Sequence, residues 1–260
     1  MKRRTFSYPY IVWMAAFIIL PMFFILYYAF WGEGGSFSLS YVRDALNRQT
    51  FVILGHSGLV ALETTAICLL LGYPIAYLLS RMKRSAAAFV STLFVVPMWM
   101  NFLLRTYALK EFLRPLGLLN TEGAVLVGMV YDFLPFMILP IYTILQKMDA
   151  SYVEAAQDLG ANPALTFTKV VLPLSVPGIV SGITMVFVPS VTAFAVSQLL
   201  GGKKTGMLFG DLIYNRFISD RMYGVGSALS LILLFFVLAS MFVMRAFDKD
   251  TPAEQGGKLW

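Results

Sequence analysis

The sequence predicts an all-α polytopic membrane protein, and three observations carry that prediction. Apolar residues make up 58% of the chain and charged residues only 13%, against roughly 25% charged in soluble domains. Mean hydropathy is +0.74, so a water-soluble fold would have too little polar surface to cover its exterior. The apolar residues also gather into six runs, each close to or above the ~20 residues a helix needs to cross a bilayer. Backbone groups in lipid must be satisfied within the segment, so such runs read as helices.

The runs are residues 10–30, 51–79, 86–104, 124–145, 174–200 and 223–244. Lys2, Arg3 and Arg4 precede the first run as they would precede a signal peptide. Its apolar core exceeds the usual ~7–15 residues and no small-x-small cleavage site follows, so it is read as an uncleaved span. Orientation follows from Lys and Arg in short loops. The clusters Lys2-Arg3-Arg4 and Arg81, Lys83, Arg84 flank the first two spans, which places the N-terminus inside. Six spans return the C-terminus to the same side. Residues 1–247 then form the transmembrane domain, with an inner loop at 146–173, and 248–260 form a polar inner tail.

The net charge of +6 does not indicate a nucleic-acid partner. Nucleic-acid binders gather their basic residues on one face, whereas here they sit in short groups between apolar runs. Cys68 is the only cysteine, which excludes an internal disulfide and a cysteine metal cluster, and reads as a small buried hydrophobe. Pro21, Pro74, Pro97, Pro135, Pro140, Pro177 and Pro189 punctuate the spans, each removing a helix hydrogen bond. Gly178 and Gly182, four apart, allow a close helix approach. The outer connections 105–123 and 201–222 are too long for simple turns. In the second, Leu212, Ile213, Phe217 and Ile218 suit one face of a short interfacial helix, lying on the membrane or serving an outer partner.

The inner loop carries the most information. Residues 151–159 favour helix, with Ser151 as N-cap. Gly160 suits the helix C-terminus, and Asn162-Pro163 signals a turn and a fresh start. A second helix over 164–170 leads to Leu172-Pro173. This helix-turn-helix elbow resembles the coupling motif of type I ABC importer permeases: Glu-Ala-Ala, three residues, Gly, nine residues, Ile, one residue, Leu-Pro. Glu154, Ala155, Ala156, Gly160, Leu172 and Pro173 fit that spacing, and Val170 stands where Ile is usual. The resemblance implies a type I importer permease fold, N-in/C-in, whose elbow sits in a groove of an ATPase subunit and transmits its motion.

His56-Ser57, Leu71-Gly72-Tyr73-Pro74, Val96-Pro97-Met98-Trp99, residues 107–112, Leu134-Pro135-Phe136-Met137 and residues 158–161 are similar to one subgroup, the spermidine/putrescine importer permeases. The likeness is to the first of that system's two homologous permeases and spans roughly residues 10–245. It implies a multi-pass protein of a bacterial cytoplasmic membrane. It also implies a second permease, two copies of a cytoplasmic ATPase and an extracytoplasmic polyamine-binding protein as partners. The chain has no Walker A motif, because Ser197 replaces the first glycine ahead of Gly202-Lys203-Lys204-Thr205. No cofactor is therefore expected in this chain, with ATP and magnesium bound by the partner ATPase.

Glu63 and Asp132 are the only carboxylates placed inside spans. Ionisable residues there usually face a bundle interior or a wet cavity. A carboxylate is the natural counter-charge to a protonated amine, and aromatic faces attract cations. Trp99, Tyr107, Tyr131 and Tyr142 lie on or near spans three and four with Asp132. Trp99, Asp132, Tyr107, Glu63 and Tyr131 are the candidate substrate-path residues. The plain alternatives are packing for the aromatics and, for Glu63, a pairing with His56 on the same helix face. Among functions, a permease for another small solute, including an anion through Arg105, competes with the polyamine reading. A secondary transporter fits less well, given the coupling elbow and no second half. No HExxH, paired catalytic carboxylates or Ser/His/Asp set suggests an enzyme.

Overall fold

A frame of three helices holds the molecule together, and the other elements hang on it. The computed structural model describes residues 12–31, 37–201 and 206–248, with side chains given as far as residue 244. In chain order the helices are α1 (Val12–Phe30), α2 (Ser40–Ala45), α3 (Arg48–Arg81), α4 (Arg84–Trp99), α5 (Phe102–Leu113), α6 (Glu122–Lys147), α7 (Ala150–Asp158), α8 (Pro163–Thr192), α9 (Phe209–Tyr214) and α10 (Tyr223–Asp248). No strand occurs among the described residues. The basic cluster Lys2-Arg3-Arg4, the pair Lys203-Lys204 and almost all of the 248–260 tail lie outside them.

The frame is α3, α6 and α8, each packed on the other two. Lipid supplies no hydrophobic drive for helices to associate, so contact depends on close van der Waals fit and on small residues. Gly178 brings α8 so close to α6 that a Cβ there would stand 3.0 Å from the Ile141 Cα and the Pro140 carbonyl oxygen. At Gly182 a Cβ would meet the Met137 sulfur at 2.7 Å, and at Gly72 on α3 it would meet Met137 at 3.1 Å. The Gly178/Gly182 pair is thus the packing surface its spacing suggested. Met129, Met137, Ile138 and Ile141 of α6 are fully buried in the resulting core, with Cys68 beside them. Polar residues of the frame bond within their own helices, as Thr64 does to the Val60 carbonyl and Ser190 to that of Val186. Tyr73 and Ser175 tie α3 to α8 through hydroxyls 2.9 Å apart.

A second core gathers the N-terminal half of α3 and the C-terminal half of α8 with α1, α2, α9 and α10. Helix α1 rests on α10, and Ala29 alone is buried in its Leu20–Phe30 portion. Phe209 of α9 is fully buried and its N–H donates to Ser57 Oγ at 2.7 Å. The α9 part of the 201–222 connection is therefore docked into the bundle. Of its expected face, Leu212 is buried, while Ile213, Phe217 and Ile218 line an apolar cavity of about 690 Å³ shared with α1 and α10.

Two spans differ from their sequence reading. The third, expected as one helix over 86–104, is α4 and α5 meeting at 98°. Met100 and Asn101 are extended (ψ 147° and 127°), and the Asn101 side chain accepts from the N–H groups of Leu103 and Leu104, starting a new helix. The fifth, expected over 174–200, ends at Thr192, where Ala193 turns extended. The chain then makes a π-type turn, Ser197–Gly201, packed on the N-terminal part of α6. Pro189 weakens the last turn of α8, and Gly128 receives Val196 and Leu200 so closely that a Cβ would meet them at 2.8 and 2.4 Å.

The glycines of the frame set a testable contrast. Gly178→Leu should lower thermal stability in lipid nanodiscs by about 1–3 kcal/mol, the usual cost of overpacking. Gly55→Leu, with nothing within 4 Å of its Cβ, should leave stability close to parental. Equal melting of the two variants would contradict the interlock.

Candidate functional site

Three places on the molecule combine polar chemistry with exposure. The first is the elbow between α4 and α5. Asp132 of α6 is wholly buried and lies opposite Arg105 of α5, itself 6% exposed. Arg105 Nε and Asp132 Oδ1 are 2.9 Å apart, an ionic contact off the axis of the N–H. Thr106 donates its hydroxyl to Asp132 Oδ2 at 3.2 Å, and Arg105 Nη1 donates to the Pro97 carbonyl of α4 at 3.2 Å. The guanidinium also stands 5.7 Å from the ring centre of Tyr131.

This arrangement corrects the reading of Asp132 as an open counter-charge. Its carboxylate is neutralised from within the chain by Arg105, and Arg105 is equally unavailable to an anion. The signal in the sequence was the isolation of both charges in apolar surroundings, where buried charges come in pairs. Trp99, the last residue of α4, is 85% exposed. Tyr107 and Tyr131 are about half exposed, so the elbow offers three aromatic faces around a sealed ion pair. Tyr142 belongs instead to the main core.

The second place is a pocket of about 240 Å³ where α3 meets the N-terminal end of α6, bounded by Gly206 and Leu208. His56, Glu63 and Glu122 line it, with Leu59, Val60, Val125 and Leu126 as apolar walls. His56 and Glu63 share one face of α3 but make no hydrogen bond to each other, and Gly206 instead packs on the His56 ring. Sequence reading passed over Glu122 because it opens α6 like an ordinary first-turn acid. Two carboxylates and an imidazole around an apolar-walled cavity suit a cationic head carried on a methylene chain.

The third place is the elbow between α7 and α8. Helix α7 begins at Ala150, with Asp149 and not Ser151 as its cap: Asp149 Oδ1 accepts the Ser151 N–H at 3.0 Å. That bond holds the Asp149 carboxyl below its ordinary range. At the other end Gly160 has φ +83°, and the N–H groups of Gly160 and Ala161 reach back to the carbonyls of Gln157 and Ala156 at 2.8 and 3.0 Å. This is a Schellman closure, and its left-handed residue is where glycine is favoured. Asn162 then caps the next helix through the Leu165 N–H at 2.8 Å. The expected separate helix over 164–170 is instead continuous with the fifth span, through a π-type turn at Phe167–Val171. Phe167 wedges edge-on against Tyr73 and Tyr77 of α3. Glu154, Ala155, Gly160, Leu172 and Pro173 are all exposed, Ala156 is half-buried, and Leu159 stands 89% exposed. The elbow thus presents the apolar side chain of Leu159 beside the charge of Glu154 at its exposed face.

Comparison with known proteins fits this anatomy. Residues 68–251 match the family described as binding-protein-dependent transport system inner membrane component. The chain belongs to that family: it is a multi-pass permease component of an inner membrane, not an enzyme. Its relatives include the spermidine/putrescine transport system permease protein PotB of Haemophilus influenzae, 35% identical over 91% of each chain. PotB of Escherichia coli is 35% identical over 85% of this chain and 88% of its own. Among solved structures, a bacterial ABC transporter for the import of alginate aligns with TM-score 0.69 at 16% identity, covering 94% of each chain. The methionine ABC transporter MetNI aligns with TM-score 0.58 at 18% identity, covering 78% of this chain and 99% of the other.

The ion pair sets a prediction. Removing one partner of a buried pair strands the other charge and costs about 3–5 kcal/mol, while replacing both by apolar residues is often neutral. Asp132→Asn and Arg105→Met should each lower the melting temperature sharply in lipid nanodiscs, and Arg105→Met/Asp132→Leu should recover most of the loss. Additive losses in the double variant would mean that the two groups do not act as a pair.

Proposed function

We propose that this chain is one of two permease subunits of an ATP-driven polyamine importer, lining half of the passage for spermidine or putrescine. The observation that carries the reading is the combination at the outer side of an acidic pocket with an elbow of open aromatic faces, in a chain related over most of its length to spermidine/putrescine permeases. The partners are a homologous second permease, two copies of a cytoplasmic ATPase that binds ATP and magnesium, and an extracytoplasmic polyamine-binding protein. Both termini and the α7 elbow face the cytoplasm. Glu154, Ala155, Ala156, Gly160, Leu172 and Pro173 form the contact that couples ATPase motion to the bundle.

In this mechanism the counter-charge for the amine is Glu63, supported by Glu122 and His56. Trp99, Tyr107 and Tyr131 supply π faces. A carboxylate attracts a cation more strongly where water is partly excluded, and aromatic walls let the cation move on without a second tight ion pair. Asp132 serves the path indirectly, through the elbow it holds. A permease for an anionic solute would retain the coupling elbow but have no use for this acidic, aromatic outer side.

Uptake of labelled spermidine and putrescine by proteoliposomes holding the complete transporter tests the substrate. Trp99→Leu should weaken apparent affinity about two- to thirtyfold, matching the loss of ~0.5–2 kcal/mol of cation–π attraction. Glu63→Gln should weaken it as well, with assembly unchanged. Import of neither amine by the parental complex would overturn the polyamine reading, and parental uptake in both variants would remove these residues from the path.

Coupling is tested separately. Gly160→Val forces a β-branched residue into a left-handed conformation at about 1–3 kcal/mol, and Glu154→Arg reverses the charge on the exposed face. Both variants should reach the membrane yet lose transport and substrate-stimulated ATP hydrolysis. A Gln157→Cys probe in a Cys68→Ser chain should react with an impermeant thiol reagent only after the cells are opened. Labelling of intact cells would refute the orientation, and unchanged uptake in both elbow variants would refute the coupling role.

A further inference from the structure

A helix that stops inside a bundle leaves its last carbonyls without partners, and the outer elbow meets that requirement in an unusual place. Helix α4 ends at Trp99. The Pro97 carbonyl receives two donors, the Met100 N–H at 3.2 Å and Arg105 Nη1 at 3.2 Å. Asn101 caps the start of α5 by accepting from the Leu103 and Leu104 N–H groups, so each side of the bend has its own capping contact. Capping alone does not set the angle, because two extended residues join α4 to α5. The contact that spans the joint is Arg105: one nitrogen reaches back to α4, another faces Asp132 of α6, and the guanidinium lies near Tyr131. Thr106, the next residue, also bonds Asp132. Three helices thus meet at one planar cation, whose fork serves several acceptors at fixed angles in a way an ammonium does not.

Trp99 is 85% exposed, so its surroundings do little to hold it. Its position follows from where α4 ends, and that follows from the joint. We propose that Arg105 is the positioning residue of the outer elbow: by linking the Pro97 carbonyl to Asp132 it fixes the 98° bend and sets where Trp99 stands, without itself meeting substrate. Asp132 then acts as the anchor of this pin on α6. The link from Trp99 to transport rests on the polyamine reading above, whereas the geometry of the elbow does not.

The test measures the elbow directly. Nitroxide labels at Phe89 on α4 and Phe112 on α5, both exposed, report the joint by electron–electron distance measurement on the full-length Cys68→Ser chain in lipid nanodiscs. The parental chain should give a single narrow distance. Arg105→Lys keeps a charge opposite Asp132 but loses the fork that also reaches Pro97, and should broaden and shift the distribution while the protein stays folded. Arg105→Met/Asp132→Leu removes the pin without stranding a charge, and should broaden it further. A parental distribution in both variants would overturn the proposal, leaving the Asn101 cap and packing to hold the bend. In the complete transporter, Arg105→Lys should raise the KM for spermidine with little change in kcat or melting temperature. A broadened elbow with unchanged KM would overturn the link to Trp99. If the parental transporter imports no polyamine, the substrate reading fails, and the distance measurement still decides the role of Arg105.

Discussion

Close approach of helix backbones along α6 is the constraint on which the rest of this structure depends. In lipid the association of helices has no hydrophobic drive, so it must come from fit. Gly72, Gly178 and Gly182 bring α3 and α8 against Met137, Pro140 and Ile141, and α6 becomes the buried axis of the bundle. Both elbows are attached to it. Its N-terminal half carries Asp132, which contacts the elbow of α4 and α5, and Gly128, which receives the turn after α8. Its C-terminal end passes through Met148 and Asp149 directly into α7.

Much of this was legible in the sequence because the signals were local. Hydropathy runs located the spans, and the four-residue spacing of Gly178 and Gly182 marked a packing face. Gly160 stood where a helix must close with a left-handed residue, and its φ of +83° follows from that need. The failures were failures of tertiary information. A hydropathy run cannot report that Met100 and Asn101 turn extended, since either residue is tolerated inside a membrane helix. Asp132 and Arg105 lie 27 positions apart, and only the fold makes them partners. Read singly, the carboxylate looked like a cation site and the arginine like an anion contact. Glu122 was hidden by its ordinary place at a helix start, and its meaning depends on Glu63 and His56 arriving from another helix.

The cost of burying Arg105 and Asp132 bears on what they are for. Taking two ions out of water is expensive, and an apolar pair of similar volume would often be no less stable. Stability alone is therefore a weak reason for this pair to occupy the joint. Geometry is a better one, because Arg105 contacts α4 and α6 at fixed angles that apolar packing would not impose. Helix α6 has 26 residues, about 39 Å at 1.5 Å per residue. A helix of that length, with the α4–α5 elbow packed on one end and α7 joined to the other, would carry a small tilt to both. A loosely packed joint would absorb such a tilt, whereas a joint pinned through Asp132 would move with α6. The aromatic faces at one end and the exposed α7 elbow at the other are thus tied to one helix, and the buried ion pair is the polar link that attaches the first of them to it.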